Sequence, residues 1–184
     1  MTLKCKRSPI SYHQADMRVA SWKSVHRFQE KSGWCGPAII QMALSRVHLE
    51  KSQEEIAHDV YKNWWGTSYS LMVAYLSRFF RRVKFKSNAT IQDLKRLVDN
   101  GNIVIVDWWD DLDAEDPDGH YCIVANVSRE KKTIRLVDPT NARKGIWEIK
   151  IKDFRDRWYD YLDVHGSTWV DGLLIWIDPK SKIS

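Results

Sequence analysis

The residue types of a cysteine nucleophile site occur in this chain, at Gln29, Cys35, His120 and Asp138. The thiolate is the reacting form of a cysteine, and both a helix N-terminus and a neighbouring imidazolium favour it. A carboxylate fixes the tautomer of an imidazole, and a neutral side-chain amide can donate a hydrogen bond to an oxyanion. These four residue types therefore indicate acyl-transfer chemistry at a carbonyl group.

Cys35 stands where a helix is predicted to begin. Pro37 is favoured in a first helical turn because its missing N–H would have no partner there. Apolar residues then recur at helical spacing, at Ala38, Ile39, Met42, Ala43 and Val47. A glycine two residues before Cys35 and another directly after it leave room for a substrate carbonyl. Free cysteines are usually buried apolar residues, as we interpret Cys5 and Cys122, but this setting makes Cys35 a candidate nucleophile.

His120 and Asp138 are predicted to lie at neighbouring strand ends. His120 opens the apolar run 121–127, and Asp138 follows the run 133–137. The short polar segment 128–132 between these runs predicts an antiparallel hairpin. Such a hairpin would bring the carboxylate within hydrogen-bond distance of the imidazole.

Some of these residues also have a purely structural interpretation. Asp138 before Pro139 is typical of a turn, and a glutamine such as Gln29 is common on protein surfaces. Among the other histidines we retain only His165, in a predicted turn, as an alternative residue that approaches the site. The spacing of Gln29 from Cys35 is what favours a functional role for the glutamine.

The ordered set of motifs resembles the bacteriocin-processing (double-glycine-leader) family of papain-like cysteine peptidases. The similarity extends over about residues 24 to 179. It is carried by the segments 29–38, 119–124, 136–139, 154–158 and 172–177. Because no transporter segment follows these motifs, we expect a free-standing domain.

The resemblance implies a role for each candidate residue. Cys35 would be the nucleophile, and His120 would act as general base and general acid. Asp138 would orient the imidazole, while the side chain of Gln29 and the backbone N–H of Cys35 would donate to the oxyanion.

The remaining sequence predicts helices in the first half and strands in the second. Capping patterns at Ser52 with Glu55, at Thr67 or Ser68, and at Thr90 with Asp93 predict three helices after the one at Cys35. Strands are predicted at 83–86, 103–107, 120–127, 133–137, 145–149 and 173–177, with a short helix at about 152–159. This order is typical of an α+β fold with a largely antiparallel sheet. The resemblance implies the papain-like fold, with N-terminal helices packed on the C-terminal sheet.

The length and composition favour one domain. A chain of 184 residues that is 43% hydrophobic can bury one good core. We expect an N-terminal extension over 1–20 and a single papain-like domain over 21–180. Ten tryptophans are present, and the pairs at 64–65 and 108–109 lie at predicted element ends, where they would pack in the core or wall a cleft.

The net charge of +5 does not indicate nucleic-acid binding, because the basic residues are scattered and lack a recognised motif. Acidic residues are concentrated just before His120, at Asp107, Asp110, Asp111, Asp113, Glu115, Asp116 and Asp118. A calcium loop starting at Asp111 would need glycine and glutamate where Asp116 and Cys122 stand. We predict a mobile acidic loop that favours a charged His120 or attracts basic substrates.

Three cysteines without paired spacing fit a reducing compartment, and no metal-binding or cofactor motif is present. The sequence contains neither a signal-peptide pattern nor a stretch of transmembrane length, so we expect a cytoplasmic protein without a membrane partner. The oligomeric state is not predicted.

The function predicted from the sequence is hydrolysis of a peptide bond in a peptide or protein substrate. The acyl group would pass to Cys35, and His120 would protonate the leaving amine and then activate water. Two alternatives stay open: a papain-like or transglutaminase-like acyltransferase, and a catalytically inactive peptide-binding domain. Glycine at the cleavage site is implied by the resemblance alone.

Overall fold

The computed structural model describes residues 12–63, 65–112, 118–161 and 168–183. The helices are α1 (Tyr12–Lys23), α2 (Cys35–Ser45), α3 (Gln53–Val60), α4 (Tyr69–Leu76), α5 (Ile91–Asp99) and α6 (Ile151–Arg155). The strands are β1 (Tyr61–Lys62), β2 (Gly66–Thr67), β3 (Val83–Lys86), β4 (Ile103–Asp110), β5 (Asp118–Ser128), β6 (Thr133–Val137), β7 (Ile146–Lys150), β8 (Tyr159–Tyr161), β9 (Trp169–Asp171) and β10 (Leu174–Ile177). A 3₁₀ helix, Pro179–Ser181, follows β10.

Polar side chains cap three of these helices at their N-termini. The Ser52 hydroxyl accepts a hydrogen bond from the Glu55 backbone N–H, and the Glu55 carboxylate accepts one from the Ser52 N–H. Thr90 and Asp93 form the same reciprocal pair at α5. At α4 the cap is Ser68, one of the two predicted candidates. These local patterns specify where the helices begin because they satisfy backbone N–H groups that have no partner inside the helix.

Six strands form one antiparallel sheet in the order β3-β10-β4-β5-β6-β7. The short strands pair separately, β1 with β2 and β8 with β9. All six predicted strands are present, and the ends that differ do so by one to three residues. The α+β fold class with a largely antiparallel sheet is therefore confirmed.

Helices cover both faces of the sheet. Ile39 of α2 packs in one apolar cluster with Ile123 of β5, and residues of α1, α3 and α4 belong to the same cluster. Leu94 of α5 and Phe154 of α6 pack in a second cluster with Cys122 of β5. Cys122 is fully buried there, as its apolar sequence context predicts. The alternating side chains of β5 thus join the two halves of the core.

Two predictions need correction. The acidic segment is not a loop throughout, because residues 107–110 belong to β4 and Asp118 begins β5. The residues 113–117 between them lie outside the described part of the chain. The predicted helix at 152–159 ends at Arg155, and Tyr159 begins β8. Pairing of β8 with the distant β9 overrides the local helical pattern there.

Helix α1 was not predicted. Its sequence is largely polar and lacks a clear apolar stripe, which is the main helical signal in a sequence. Val19 and Trp22 are nevertheless buried in the first apolar cluster, and the helix packs against β5. The domain boundary at residue 20 stays a prediction, although α1 crosses it.

Among the described residues, none of the helices combines the length and the apolar character needed to span a membrane.

The close contact of α2 with β2 leads to a stability prediction. A Cβ atom added at Gly36 would lie 2.5 Å from both Cβ and Oγ1 of Thr67, so a Gly36→Ala substitution must displace backbone. Such overpacking costs about 1–3 kcal/mol, which urea unfolding would measure as a lower free energy of unfolding. Introducing the same change in a Thr67→Gly background should cost at least about 1 kcal/mol less, since the opposing side chain is gone. Equal costs in the two backgrounds would contradict this packing argument.

Candidate active site

Cys35 is the first residue of α2, and its side chain is partly exposed in a cleft. The cleft has a volume of about 580 Å³. Helix α2, the middle of β4 and the start of β5 contribute to its lining, as do residues 61, 63 and 65–70 and strand β8. Gly33, with a φ of 73°, lies in the turn just before the helix and also lines the cleft. The predicted position of Cys35 at a helix start is therefore confirmed.

His120 and Asp138 are hydrogen-bonded, with 2.8 Å between His120 Nε2 and Asp138 Oδ1. The antiparallel pairing of β5 and β6 produces this contact, because Ile123 lies opposite Val137, the residue before Asp138. Both side chains are buried. The hairpin predicted from the sequence thus brings the imidazole and the carboxylate together.

The Asp138 carboxylate is fully buried and accepts hydrogen bonds at both oxygens. Besides His120, Oδ1 accepts from the Thr140 backbone N–H at 2.9 Å. Oδ2 accepts from Trp147 Nε1 at 2.8 Å and from Arg143 Nη1 at 3.0 Å. Burial alone would raise the pKa of Asp138, but the hydrogen bond with His120 and the other donors lower it to about 2. Asp138 is therefore a carboxylate at neutral pH.

This ionisation state decides the tautomer of His120. A carboxylate can only accept hydrogen bonds, so Nε2 of His120 must carry the proton that it donates to Asp138. Nδ1 is then the nitrogen that gains or loses a proton. The Cys35 side chain also interacts with the imidazole and raises the pKa of His120. With Nε2 engaged, Nδ1 is the nitrogen left to interact with Cys35.

The electrostatic surroundings favour the charged form of His120. Burial lowers the pKa of the imidazole, but interaction with Cys122 and the hydrogen bond to Asp138 raise it well above the usual range. Burial raises the pKa of Cys122 to about 12, so Cys122 is an uncharged thiol at neutral pH. We therefore attribute the raised pKa of His120 mainly to the Asp138 carboxylate.

Arg143 donates a hydrogen bond to Oδ2 of Asp138, the carboxylate oxygen that does not bond His120. Its guanidinium forms two 2.6 Å hydrogen bonds with the Asp110 carboxylate in addition to the bond with Asp138. It also lies over the Trp147 ring, 4.9 Å from the ring centroid. Burial opposes the charge, but hydrogen bonding to Asp110 outweighs it and raises the pKa of Arg143. Asp110, one residue of the acidic segment, thus has a structural partner.

Gln29 lies beside the loop that follows β6. Its backbone N–H donates to the Pro139 carbonyl at 2.7 Å, and its carbonyl accepts from Asn141 Nδ2 at 3.3 Å. The nearby His26 ring contacts the Asp138 carbonyl through Nε2 at 2.8 Å. The chain before Cys35 is therefore fastened to the loop that carries Asp138. A role of the Gln29 side chain at an oxyanion stays a prediction.

The family model of the Peptidase_C39 like family matches residues 19–164. The chain belongs to this family. The resemblance to double-glycine-leader peptidases is thus confirmed, and the membership supports a cysteine peptidase function. No curated protein sequence matches the chain significantly.

Solved structures of C39 peptidase domains have a similar fold. The peptidase domain of Streptococcus ComA, a bifunctional ABC transporter in a quorum-sensing pathway, aligns with a TM-score of 0.60 and 16% identity over 83% of this chain and 96% of that domain. A double-glycine-motif protease from an AMS/PCAT transporter, solved in complex with its leader peptide, aligns with a TM-score of 0.56 and 15% identity. That alignment covers 82% of this chain and 88% of the other. At these identities the similarity establishes the fold.

The structure also describes two of the tryptophans that were predicted to pack in the core or wall a cleft. Trp108 is fully buried and packs near His120, whereas Trp65 lines the cleft. His165, Cys5 and Trp64 lie outside the described residues.

The one group of possible metal ligands found among the described residues is His120, Cys122 and Asp138, whose ligand atoms lie within 4.8 Å of one another. A cation there would have to compete with the guanidinium of Arg143, which already bonds Asp138. This arrangement suits a hydrogen-bonded carboxylate better than a metal ligand.

The partners of Asp138 were not predicted from the sequence. Arg143 and Trp147 follow it by five and nine residues, in a connection and a strand without a recognisable motif. Asp110, the other partner of Arg143, precedes that arginine by 33 residues. The one available signal was the concentration of acidic residues before His120, which does not indicate which arginine they meet.

The lowered pKa of Asp138 predicts a specific loss of stability in acid. A carboxyl whose pKa falls on folding stabilises the protein above its unfolded pKa, and this contribution disappears as the pH falls from about 4 to about 2. The shift corresponds to about 2 kcal/mol in the free energy of unfolding, and an Asp138→Asn variant should lack this pH-dependent part. Urea unfolding between pH 5 and pH 2.5 measures it. A Cys35→Ser variant keeps the carboxylate and should lose as much free energy of unfolding in acid as the native protein does. An equal loss in Asp138→Asn would contradict the assignment to Asp138.

Proposed function

We propose that this chain is a cysteine peptidase that hydrolyses a peptide bond through Cys35, His120 and Asp138. One observation carries the proposal: a carboxylate holds a buried imidazole through Nε2, which leaves Nδ1 available to a cysteine at a helix N-terminus in an open cleft. Membership in the Peptidase_C39 like family supports the same reaction.

The first half of the proposed reaction acylates the enzyme. The Cys35 thiolate attacks the scissile carbonyl carbon, forming a C–S bond while the carbonyl electrons move to the oxygen. Donors at the backbone N–H of Cys35 and the side chain of Gln29 would stabilise that oxyanion. His120 then gives its Nδ1 proton to the leaving nitrogen as the C–N bond breaks. The products are a thioester at Cys35 and a free amine.

The second half releases the acyl group. Neutral His120 takes a proton from a water molecule, whose oxygen attacks the thioester carbon. The C–S bond breaks, the carboxylic acid leaves, and the thiolate with the protonated imidazole is restored. Throughout, the Asp138 carboxylate holds Nε2–H, so only Nδ1 exchanges protons.

An extended peptide is the substrate class that we propose. The leader-peptide complex of the similar double-glycine-motif protease supports this class, and the resemblance supports glycine at the cleavage site. The cleft here is open to solvent, and a glycine on each side of Cys35 limits side-chain bulk around the sulfur.

The reactivity of Cys35 tests the dyad without a known substrate. We expect iodoacetamide to modify Cys35 rapidly well below pH 8, and this fast labelling to be lost in a His120→Ala variant, because the imidazolium stabilises the thiolate. Peptide mass mapping across a pH series measures the rates, with buried Cys122 as an internal control. Labelling of Cys35 that is indifferent to His120 would overturn the proposed dyad.

Hydrolysis itself requires a substrate search. Incubation with a peptide library rich in glycine pairs should give products that have gained water, and a Cys35→Ala variant should give none. Products that contain an added amine would instead identify an acyltransferase. If labelling is fast but neither product forms, the enzymatic proposal fails and a peptide-binding domain becomes the better description.

The proposed donor role of Gln29 predicts a defect in catalysis alone. Loss of one oxyanion donor typically lowers kcat by about 10²–10³-fold, so Gln29→Ala should do so while iodoacetamide labelling of Cys35 stays fast. Kinetics on the best library peptide would measure this effect. The neighbouring exposed residue provides the control, since Glu30→Ala should retain kcat. A loss of labelling together with kcat would instead indicate that Gln29 supports the fold.

A further inference from the structure

The cleft that contains Cys35 also contains a buried carboxyl group with an unused hydrogen-bond acceptor. Asp107, in β4, is 5% exposed and lines this cleft. Its Oδ1 atom is buried and has no hydrogen-bond partner among the described residues. An unpaired buried carboxylate oxygen costs free energy, so natural proteins seldom retain one without a reason.

A second carboxyl group, that of Asp160 in β8, lies against the first. Burial and the negative charge of Asp160 raise the pKa of Asp107 well above its usual range, and burial raises the pKa of Asp160 to about 6. Tyr121 is the cross-strand partner of Asp107, and interaction with it lowers the pKa of Asp107. Near neutral pH the pair therefore carries about one negative charge, on Asp160.

The backbone of β5 makes room for this pair. A Cβ atom at Gly119 would collide with the Asp160 carboxylate, so only glycine at this position allows the carboxylate its place. Strand β8 packs against β4, which holds Asp160 close to Asp107. The pair is therefore held between two packed strands and does not belong to a flexible surface cluster.

The charge of the cleft is opposite to that of the whole chain. The chain carries a net charge of +5, yet no lysine or arginine is among the described residues that line the cleft, whereas Asp107, Asp118 and Asp160 do line it. Aromatic rings of Tyr61 and Trp65 are further parts of the wall. Carboxylates beside aromatic rings form a suitable environment for an ammonium or guanidinium group.

We infer that Asp107 and Asp160 form a subsite for a cationic side chain, lysine or arginine, of the peptide that reacts at Cys35. Oδ1 of Asp107 would accept a hydrogen bond from the bound cation, and the carboxylate of Asp160 would balance the charge of the cation. The role in specificity rests on the proposed peptidase function, but the charge preference of the cleft is a property of these residues alone.

Charged thiol reagents test that preference directly. Two methanethiosulfonates, one with a trimethylammonium group and one with a sulfonate group, react identically: the Cys35 thiolate attacks the sulfenyl sulfur, a disulfide forms and methanesulfinate leaves. The ratio of their rates at Cys35, measured by peptide mass mapping at pH 7.5, cancels any change in the intrinsic reactivity of the thiol. We expect the cationic reagent to react faster with the native protein.

Neutralising the pair should reduce this ratio by at least about fivefold in Asp160→Asn and in the Asp107→Asn/Asp160→Asn double variant, because both remove the carboxyl group that is ionised at pH 7.5. Asp171→Asn, which changes an exposed aspartate of β9, should leave the ratio as it is in the native protein. Far-UV circular dichroism checks that each variant is folded. Should the double variant fail to fold, Asp160→Asn alone decides the outcome.

The results test the cationic subsite and the peptidase proposal independently of each other. An unchanged ratio in the folded variants overturns the subsite, whether or not peptides are hydrolysed. A reduced ratio supports the subsite, even if no library peptide is cleaved and the peptidase proposal fails. Where a cleaved peptide is found, replacing its basic residue by norleucine or citrulline should lower kcat/KM at least about tenfold in the native protein and much less in Asp160→Asn.

Discussion

The fully buried carboxylate of Asp138 is the constraint on which the rest of the site depends. A buried charge is tolerated only when surrounding groups replace the hydrogen bonds that water would provide. Here the donors come from β5, from the connection after β6 and from β7, through His120, Thr140, Arg143 and Trp147. Satisfying one side chain therefore fixes the relative positions of three strands and, with them, the orientation of the imidazole.

The same constraint explains why the aspartates of the acidic segment have different structural roles. Arg143 brings a second charge into the interior, and Asp110 compensates it with two hydrogen bonds. Asp111 pairs with Arg157, near the start of β8. Asp107 lines the cleft and has no such cation beside it. It differs from Asp110 and Asp111 in that its buried Oδ1 atom has no hydrogen-bond partner among the described residues. Residues that are alike in the sequence thus differ in role according to which side chains reach them.

The parts of the fold that could be predicted from the sequence are those specified by local patterns. Capping residues, the proline after Cys35 and the polar turn between two apolar runs each act within a few residues, so the helix starts and the hairpin of His120 and Asp138 were predicted. The pairing of Asp107 with Asp160 and of Arg143 with Asp110 depends on contacts between distant segments. Helix α1 and the β8–β9 pair likewise form through tertiary packing, and no single segment specifies them. The catalytic roles of the site residues were predicted from a resemblance and stay predictions.

The site residues also differ in how far apart they lie in the sequence. His120 and Asp138 are eighteen residues apart and meet within one hairpin, whereas Cys35 precedes His120 by eighty-five positions and reaches it only when α2 docks on the sheet. Hairpins form in microseconds, but contacts between distant segments must first overcome the entropy of closing a long loop. During synthesis the thiol emerges well before its imidazole. In the proposed enzyme, an unfinished or misfolded chain would therefore carry an ordinary cysteine, and reactivity towards other proteins would begin only with completion of the fold.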